Sequence, residues 1–122
     1  MALLHTPTKD TNFYAADFSL KDVSGKTLTL ADIQGKNGTL VMFICNHCPY
    51  VKAVIDRLVE DCKELQKQGV GCVAIMPNDV ENYPDDSFEN MQKFAQKHGF
   101  TFPYLLDETQ KAAAYSRCAC RA

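Results

Sequence analysis

Two cysteines three positions apart offer the most reactive chemistry in the sequence. Cys45 ends the apolar run "LVMFIC", and Cys48 closes "CNHC" directly before Pro49. A thiolate is the nucleophile of thiol–disulfide exchange, and a helix N-terminus stabilises it through unpaired N–H groups and the positive end of the dipole. If a strand ends at Cys45 and a helix begins near Pro49, Cys45 can be a partly exposed attacking thiol. Cys48 is then near enough to attack a mixed disulfide formed by Cys45, so the spacing predicts an attacking and a resolving thiol.

The residues around the two cysteines are candidates for tuning this chemistry. A protonated His47 would add positive charge beside the Cys45 sulfur, stabilise the thiolate and make the disulfide a stronger oxidant. An exposed histidine without a role is an equally good interpretation of His47. Asn46 and Pro49 complete the motif as supporting residues, and Pro49 suits a first helical turn, where its missing N–H is not needed.

Metal binding is the alternative use of the same cysteines. C-x-x-C is half of a zinc site, and a closed site needs two further ligands. The "CAC" near the end of the sequence could supply two more thiolates, which gives a zinc module of Cys45, Cys48, Cys118 and Cys120. The strand–C-x-x-C–helix context favours redox chemistry over metal binding, so we expect neither a metal nor a cofactor.

The elements that must position the pair can be predicted from hydrophobic periodicity. "TLVMFIC", Thr39 to Cys45, is nearly all apolar and predicts a strand covered on both faces, and "VGCVAIM", Val70 to Met76, predicts another. From Pro49 the period becomes helical, and the helix should stop near Gly69. Its apolar face comprises Val51, Val54, Ile55, Leu58, Val59, Cys62 and Leu65.

The remaining elements complete an alternating pattern. "FSLKDVSGKTLTLADI" predicts a β-hairpin with its turn at "DVSGK", and "DDSFENMQKFAQKHGF" predicts a helix that begins after the capping residues Asp86 and Ser87 and ends at Gly99. "TFPYLLDE" predicts a short strand, and "TQKAAAYSR" a third helix. Strands that alternate with helices in this way predict an α/β sandwich with a parallel core.

Composition places the chain in a broad class. Its 122 residues suit a single domain, 1–122, and 46% hydrophobic with 23% charged residues is typical of globular proteins. A formal net charge of -2 favours neither nucleic acid nor an anionic membrane as a partner. The sequence shows no signal peptide and no membrane span, so we expect a cytoplasmic protein. Cys62 and Cys72 fall in apolar patterns and should be buried small hydrophobes.

The motifs "CNHCPYVK", "YPDDS" and "FPYLLDETQ" resemble those of the thioredoxin superfamily. The likeness covers about residues 13 to 115 and is greatest to the redoxin-type branch related to alkyl hydroperoxide reductase and thiol-specific antioxidant (AhpC/TSA) proteins. It implies a thioredoxin-like fold and thiol–disulfide oxidoreductase activity in cell redox homeostasis, on protein or small-molecule disulfides and thiols. The peroxidatic pattern P-x-x-x-T-x-x-C of peroxiredoxins has Gly38 and Met42 at its proline and threonine positions here, which disfavours direct peroxidase activity.

The resemblance stops at the C-terminal sequence "AAAYSRCACRA". Similar proteins continue past the third helix with a Thr-Pro whose proline is cis, two antiparallel strands and a final helix. We therefore expect a thioredoxin-like α/β sandwich with an N-terminal β-hairpin that lacks the usual C-terminal strand pair and helix. Such a chain would bare one edge of the strand Thr39 to Cys45, which predicts a homodimer or a segment-exchanged oligomer. A form that keeps the fold without catalysis is a further alternative.

Overall fold

Five strands and three helices make up the described part of the chain. The computed structural model describes residues 17–46, 48–77 and 87–107. The predicted third helix, residues 109–117, lies outside these ranges. In chain order the elements are β1 (Ser19–Asp22), β2 (Thr27–Thr29), α1 (Leu30–Ile33), β3 (Gly38–Phe43), α2 (Pro49–Lys67), β4 (Val70–Met76), α3 (Phe88–His98) and β5 (Tyr104–Leu106).

The predicted hairpin is formed by β1 and β2, which pair antiparallel. Its turn is closed by the Asp22 N–H, which donates to the Lys26 carbonyl at 2.8 Å. Gly25 adopts φ 91°, a left-handed conformation that glycine enters without the steric cost of a Cβ. The turn at "DVSGK" is therefore where the sequence predicted it.

The short helix α1 was not predicted, because "TLADI" was assigned to the hairpin. The Asp32 carboxylate accepts hydrogen bonds from the backbone N–H and the hydroxyl of Thr29, at 2.8 and 3.0 Å. The backbone hydrogen bond, followed by that from the hydroxyl, lowers the pKa of Asp32 below its ordinary value. This capping interaction turns the chain from β2 into a helix instead of extending the strand.

The sheet has a parallel core, as predicted. β3 pairs parallel with β4, β4 pairs parallel with β5, and β1 adds antiparallel to β5, which gives the order β2-β1-β5-β4-β3. Within the described ranges β3 pairs only with β4 and so lies at one edge of the sheet. The prediction that β3 is covered on both faces is wrong for Leu40, which is 36% exposed.

Two hydrophobic layers lie on opposite faces of the sheet. Alternate residues of β4 point to opposite sides, so Val73 and Ile75 pack with Ile33 of α1, whereas Ala74 and Met76 belong to the core under α2 and α3. The sequence predicts Phe88, Met91, Phe94 and Ala95 on one face of α3; the last three are buried, and Phe88 is partly buried against the same core.

The helix α2 follows the predicted pattern with one exception. Ile55, Val59 and Cys62 are buried, but Val54 is 44% exposed and lies outside the core. No helix in the described ranges combines the length and apolar character needed to cross a bilayer.

Candidate functional site

The cysteine pair lies at the junction between β3 and α2. Past the end of β3, the Ile44 N–H still donates to the Ile75 carbonyl at 3.0 Å, which holds the strand direction up to Cys45. Cys48 is the N-cap of α2, Pro49 is its first residue, and the Cys48 carbonyl accepts from the Lys52 N–H at 3.0 Å. The strand–C-x-x-C–helix arrangement predicted from the sequence is therefore confirmed.

Both thiols are buried, which corrects the expectation that Cys45 is partly exposed. Cys45 and Cys48 are each 2% exposed and belong to the core cluster that also contains Ile44 and Ile55. Neither sulfur is therefore open to solvent among the residues that the structure describes.

Asn46 is held by a residue of β5, two strands from β3 in the sheet, that could not be identified from the sequence. The Tyr104 hydroxyl donates to Asn46 Oδ1 at 2.8 Å, and the two residues are 0% and 7% exposed. The Tyr104 ring packs against Phe94 and Phe100, with centroids 6.4 and 5.4 Å apart. A tyrosine in the apolar strand "YLL" signals that a buried hydroxyl needs a partner, but the sequence does not show which residue that is.

Replacing Tyr104 with phenylalanine should lower the free energy of unfolding by about 1–2 kcal/mol, because a buried hydrogen bond to Asn46 is lost. Amide hydrogen exchange at Asn46 should become faster relative to exchange in β4, because the turn loses the hydrogen bond that holds it to β5. Urea unfolding and exchange monitored by NMR measure the two effects. Tyr50→Phe removes the same atom from a side chain that is 75% exposed and should change neither quantity. Equal effects of the two substitutions would contradict the anchoring role.

A cleft opens beside Asn46 between α2 and α3. It has a volume of about 430 Å³ and is lined by Asn46, Lys52, Asn90, Lys93, Phe94, Lys97 and His98. His98 Nδ1 lies 2.9 Å from Asp56 Oδ1, and the His98 ring packs against Phe94 with centroids 4.6 Å apart. Lys93, Lys97 and His98 are distant in sequence from the cysteine pair, and the packing of α3 against α2 places them at the same cleft as Asn46 and Lys52.

A second pair of thiols lies in the same core as Cys45 and Cys48. Cys62 of α2 and Cys72 of β4 are 0% and 3% exposed, and Cys72 Sγ is 4.0 Å from the Cys62 carbonyl oxygen. Burial raises the pKa of Cys62 to about 12, and the hydrogen bond with Cys72, its charge and that of Asp61 add to the rise. The prediction that Cys62 and Cys72 are buried small hydrophobes is confirmed.

Cys62 should therefore be alkylated more slowly than Cys45 at pH 8, because burial suppresses its thiolate, whereas the helix start favours the Cys45 thiolate. A time course with iodoacetamide and mass spectrometry measures the order. The free energy of unfolding should also fall as pH rises from about 9 towards 12, since the unfolded state ionises Cys62 first. In the alkylation experiment, labelling of Cys62 before Cys45 would contradict the assignment of Cys45 as the attacking thiol.

Two predictions about the site fall outside the described residues. Within ranges 17–46, 48–77 and 87–107, no three His, Cys, Asp or Glu side chains are grouped to hold a metal ion. Cys118 and Cys120, which the zinc alternative requires, are not among the described residues, and neither is His47. The zinc site and the tuning role of His47 therefore stay predictions.

Known proteins resemble this chain in sequence and in structure. The sequence model of the AhpC/TSA family matches residues 13–117. The thiol-disulfide oxidoreductase ResA of Halalkalibacterium halodurans is 27% identical over 94 residues, which are 77% of this chain and 49% of that protein. The chain thus spans about half the length of this curated relative.

Solved structures extend the comparison to the fold. The crystal structure of an uncharacterised conserved protein from Geobacillus kaustophilus has 44% identity and a TM-score of 0.81, covering 93% of this chain and 64% of that one. A thiol:disulfide interchange protein of the thioredoxin family from Chlorobium tepidum has 20% identity and a TM-score of 0.63, covering 81% and 63%. This second likeness concerns the fold alone, and it agrees with the predicted thioredoxin-like α/β architecture.

Proposed function

Because the chain belongs to the AhpC/TSA family, we propose that it is a thiol–disulfide oxidoreductase whose Cys45 and Cys48 cycle between dithiol and disulfide. The observation that carries this proposal is the position of Cys45 and Cys48 at the junction of β3 and α2, with Cys48 as the N-cap. The name of the ResA relative, a thiol-disulfide oxidoreductase, supports it.

Two exchange steps reduce a disulfide RSSR at this pair. The Cys45 thiolate attacks one substrate sulfur, forms the mixed disulfide Cys45–S–S–R and releases RS⁻. The Cys48 thiolate then attacks Cys45 Sγ, forms the Cys45–Cys48 disulfide and releases the second RS⁻. The substrate gains two electrons, the protein loses two, and the two thiol protons pass to the released thiolates. The reverse sequence oxidises a substrate dithiol.

A redox titration tests the proposal. A Cys118→Ser/Cys120→Ser background, equilibrated with mixtures of reduced and oxidised dithiothreitol, should show one two-electron transition. Mass spectrometry should map the disulfide to Cys45 and Cys48. The same background carrying Cys48→Ser is the control and should show no such transition. A disulfide between Cys62 and Cys72 instead, or no transition at all, would overturn the proposal.

His47 is proposed to tune the pair through its charge. Replacing it with glutamine should raise the pKa of the Cys45 thiol and make the disulfide less oxidising, because one positive charge adjacent in sequence is lost. Ultraviolet absorbance of the thiolate as a function of pH measures the first effect. An unchanged titration would mean that His47 takes no part in tuning.

We also propose an assembly and a cellular location for the protein. A homodimer or a segment-exchanged oligomer fits the edge position of β3, whose side away from β4 pairs with no strand in the described ranges. The cytoplasmic location stays a prediction.

A further inference from the structure

We propose that the cleft beside Asn46 selects, as substrates of the cysteine pair, low-molecular-weight disulfides and thiols that carry carboxylates. The inference rests on the proposed redox function and names the substrate class of that site. Asn46 connects the cleft with the cysteine pair, because it lines the cleft and directly follows Cys45 in the chain. A ligand seated in the cleft is therefore held next to the turn that carries the nucleophile.

The size of the cleft suits a small molecule. Its volume of about 430 Å³ falls in the range of roughly 300–1,000 Å³ that small-molecule sites occupy. Two helices form the walls: Lys93 and Lys97 lie one turn apart on α3, and Lys52 lies in the first turn of α2. Phe94 supplies an apolar surface between these cations, which suits the short carbon chain of a thiol acid.

The charge of the lining is positive. The described residues that line the cleft include three lysines and no carboxylate. The Lys93 ammonium is 3.4 Å from Glu89, but both side chains are more than two-thirds exposed, so water screens this pair strongly. Neither Lys52 nor Lys97 forms an ion pair within the described ranges. Asp56, one turn after Lys52 on α2 and 2.9 Å from His98, is a carboxylate beside the cleft and offsets part of this positive charge.

The position of Lys52 in α2 also indicates that the cleft favours anionic ligands. The first turn of a helix favours negative side chains, because the dipole is positive there. α3 follows the rule with Glu89, whereas the first turn of α2 contains no acidic residue and carries Lys52. The helix start and the lysine therefore add their positive potentials next to Cys45. An anionic ligand gains from both, and a cationic one is repelled by both.

Three small disulfides of matched size isolate the effect of ligand charge on the rate of reaction with the cysteine pair. They are 3,3′-dithiodipropionate with two negative charges, 2-hydroxyethyl disulfide with none, and cystamine with two positive charges. Each oxidises reduced protein to the Cys45–Cys48 disulfide and is itself reduced to two thiols. The rates are measured at low and high salt in the Cys118→Ser/Cys120→Ser background and divided by the rate of each probe with dithiothreitol, which corrects for intrinsic reactivity.

The dianionic disulfide should react at least about 10-fold faster than the dicationic one at low salt, and the ratio should shrink at high salt. The whole protein has a net charge of -2, so its overall field acts against this order. The triple variant Lys52→Gln/Lys93→Gln/Lys97→Gln should abolish the preference. Lys63→Gln/Lys67→Gln changes lysines of α2 that do not line the cleft and pair with Glu60 and Glu64, and it should preserve the preference.

The outcomes separate the two proposals. Oxidation by all three disulfides at equal corrected rates would overturn the selection of carboxylates and leave the redox function standing. A triple variant that slows every probe by the same factor would also overturn it, because the lysines would then act on the Cys45 thiolate and not on the ligand. Failure of the neutral 2-hydroxyethyl disulfide to oxidise the pair would instead contradict the redox function itself.

Discussion

Replacing Cys48 with serine should leave Cys45 trapped in a mixed disulfide with its substrate. The first exchange step needs only Cys45, whereas release of the second half of the substrate needs the resolving thiol. The fold should tolerate the change, because Cys48 is the N-cap of α2 and makes no side-chain capping hydrogen bond. Serine is a preferred residue at this position, and its capping hydrogen bond offsets the cost of burying a hydroxyl at a site that is 2% exposed, so the variant should be about as stable as the parent.

Turnover should fall by about 10³-fold or more, since an intramolecular attack has an effective concentration that millimolar external thiol does not approach. The assay is the reduction of 2-hydroxyethyl disulfide with dithiothreitol as the electron source, and mass spectrometry detects the adduct on Cys45. Cys45→Ser is the matched variant and should form no adduct. Turnover retained by Cys48→Ser would contradict a two-thiol mechanism, and an adduct on Cys48 in Cys45→Ser would exchange the roles of the two cysteines.

The position of the pair could be predicted because its determinants are local. An apolar run that ends on Cys45, followed by Pro49 and a helical period, specifies a strand-to-helix junction within a few residues. Similar local signals define β4, whose bounds Val70–Met76 match the prediction, and α3. Ser87 caps α3 by accepting from the Asn90 N–H, and Gly99 ends it at φ 64°.

The surroundings of the pair could not be predicted, because they depend on contacts distant in sequence. Asn46 and Tyr104 are 58 residues apart and meet only when β5 pairs with β4. The lysines of the cleft occur in helices whose polar faces look alike in sequence, and packing alone decides which cations face the turn. The burial of Cys45 escaped prediction for a similar reason: a helix start determines the charge around a thiol but not its accessibility.

Replacing Gly71 with alanine should cause a large loss of stability. The chain after α1 crosses the start of β4 so closely that a Cβ on Gly71 would overlap the carbonyl oxygen of Ile33. The same Cβ would lie 2.8 Å from the Gly35 nitrogen and 3.2 Å from the Gln34 carbonyl carbon. All three are backbone atoms, so no side chain can rotate away to make room.

A Cβ on Gly71 could be accommodated only if the segment after α1 moved away from β4. Gly35 is under the same constraint, because a Cβ there would overlap the Gly71 nitrogen. Overpacking of a core commonly costs 1–3 kcal/mol through side-chain shifts, and a backbone clash should cost about 3 kcal/mol or more. That is a large part of the 5–15 kcal/mol of a typical domain. Urea unfolding measures the loss as a lower midpoint.

Gly99→Ala is the control, because it adds the same methyl group at φ 64° with no atom within 4 Å of the new Cβ. That change should cost only about 1–2 kcal/mol, the penalty of a left-handed conformation with a Cβ. An effect of Gly71→Ala no larger than that of Gly99→Ala would show that the segment after α1 can move away from β4. In that case the approach of Ile33 to Gly71 would not restrain the start of β4.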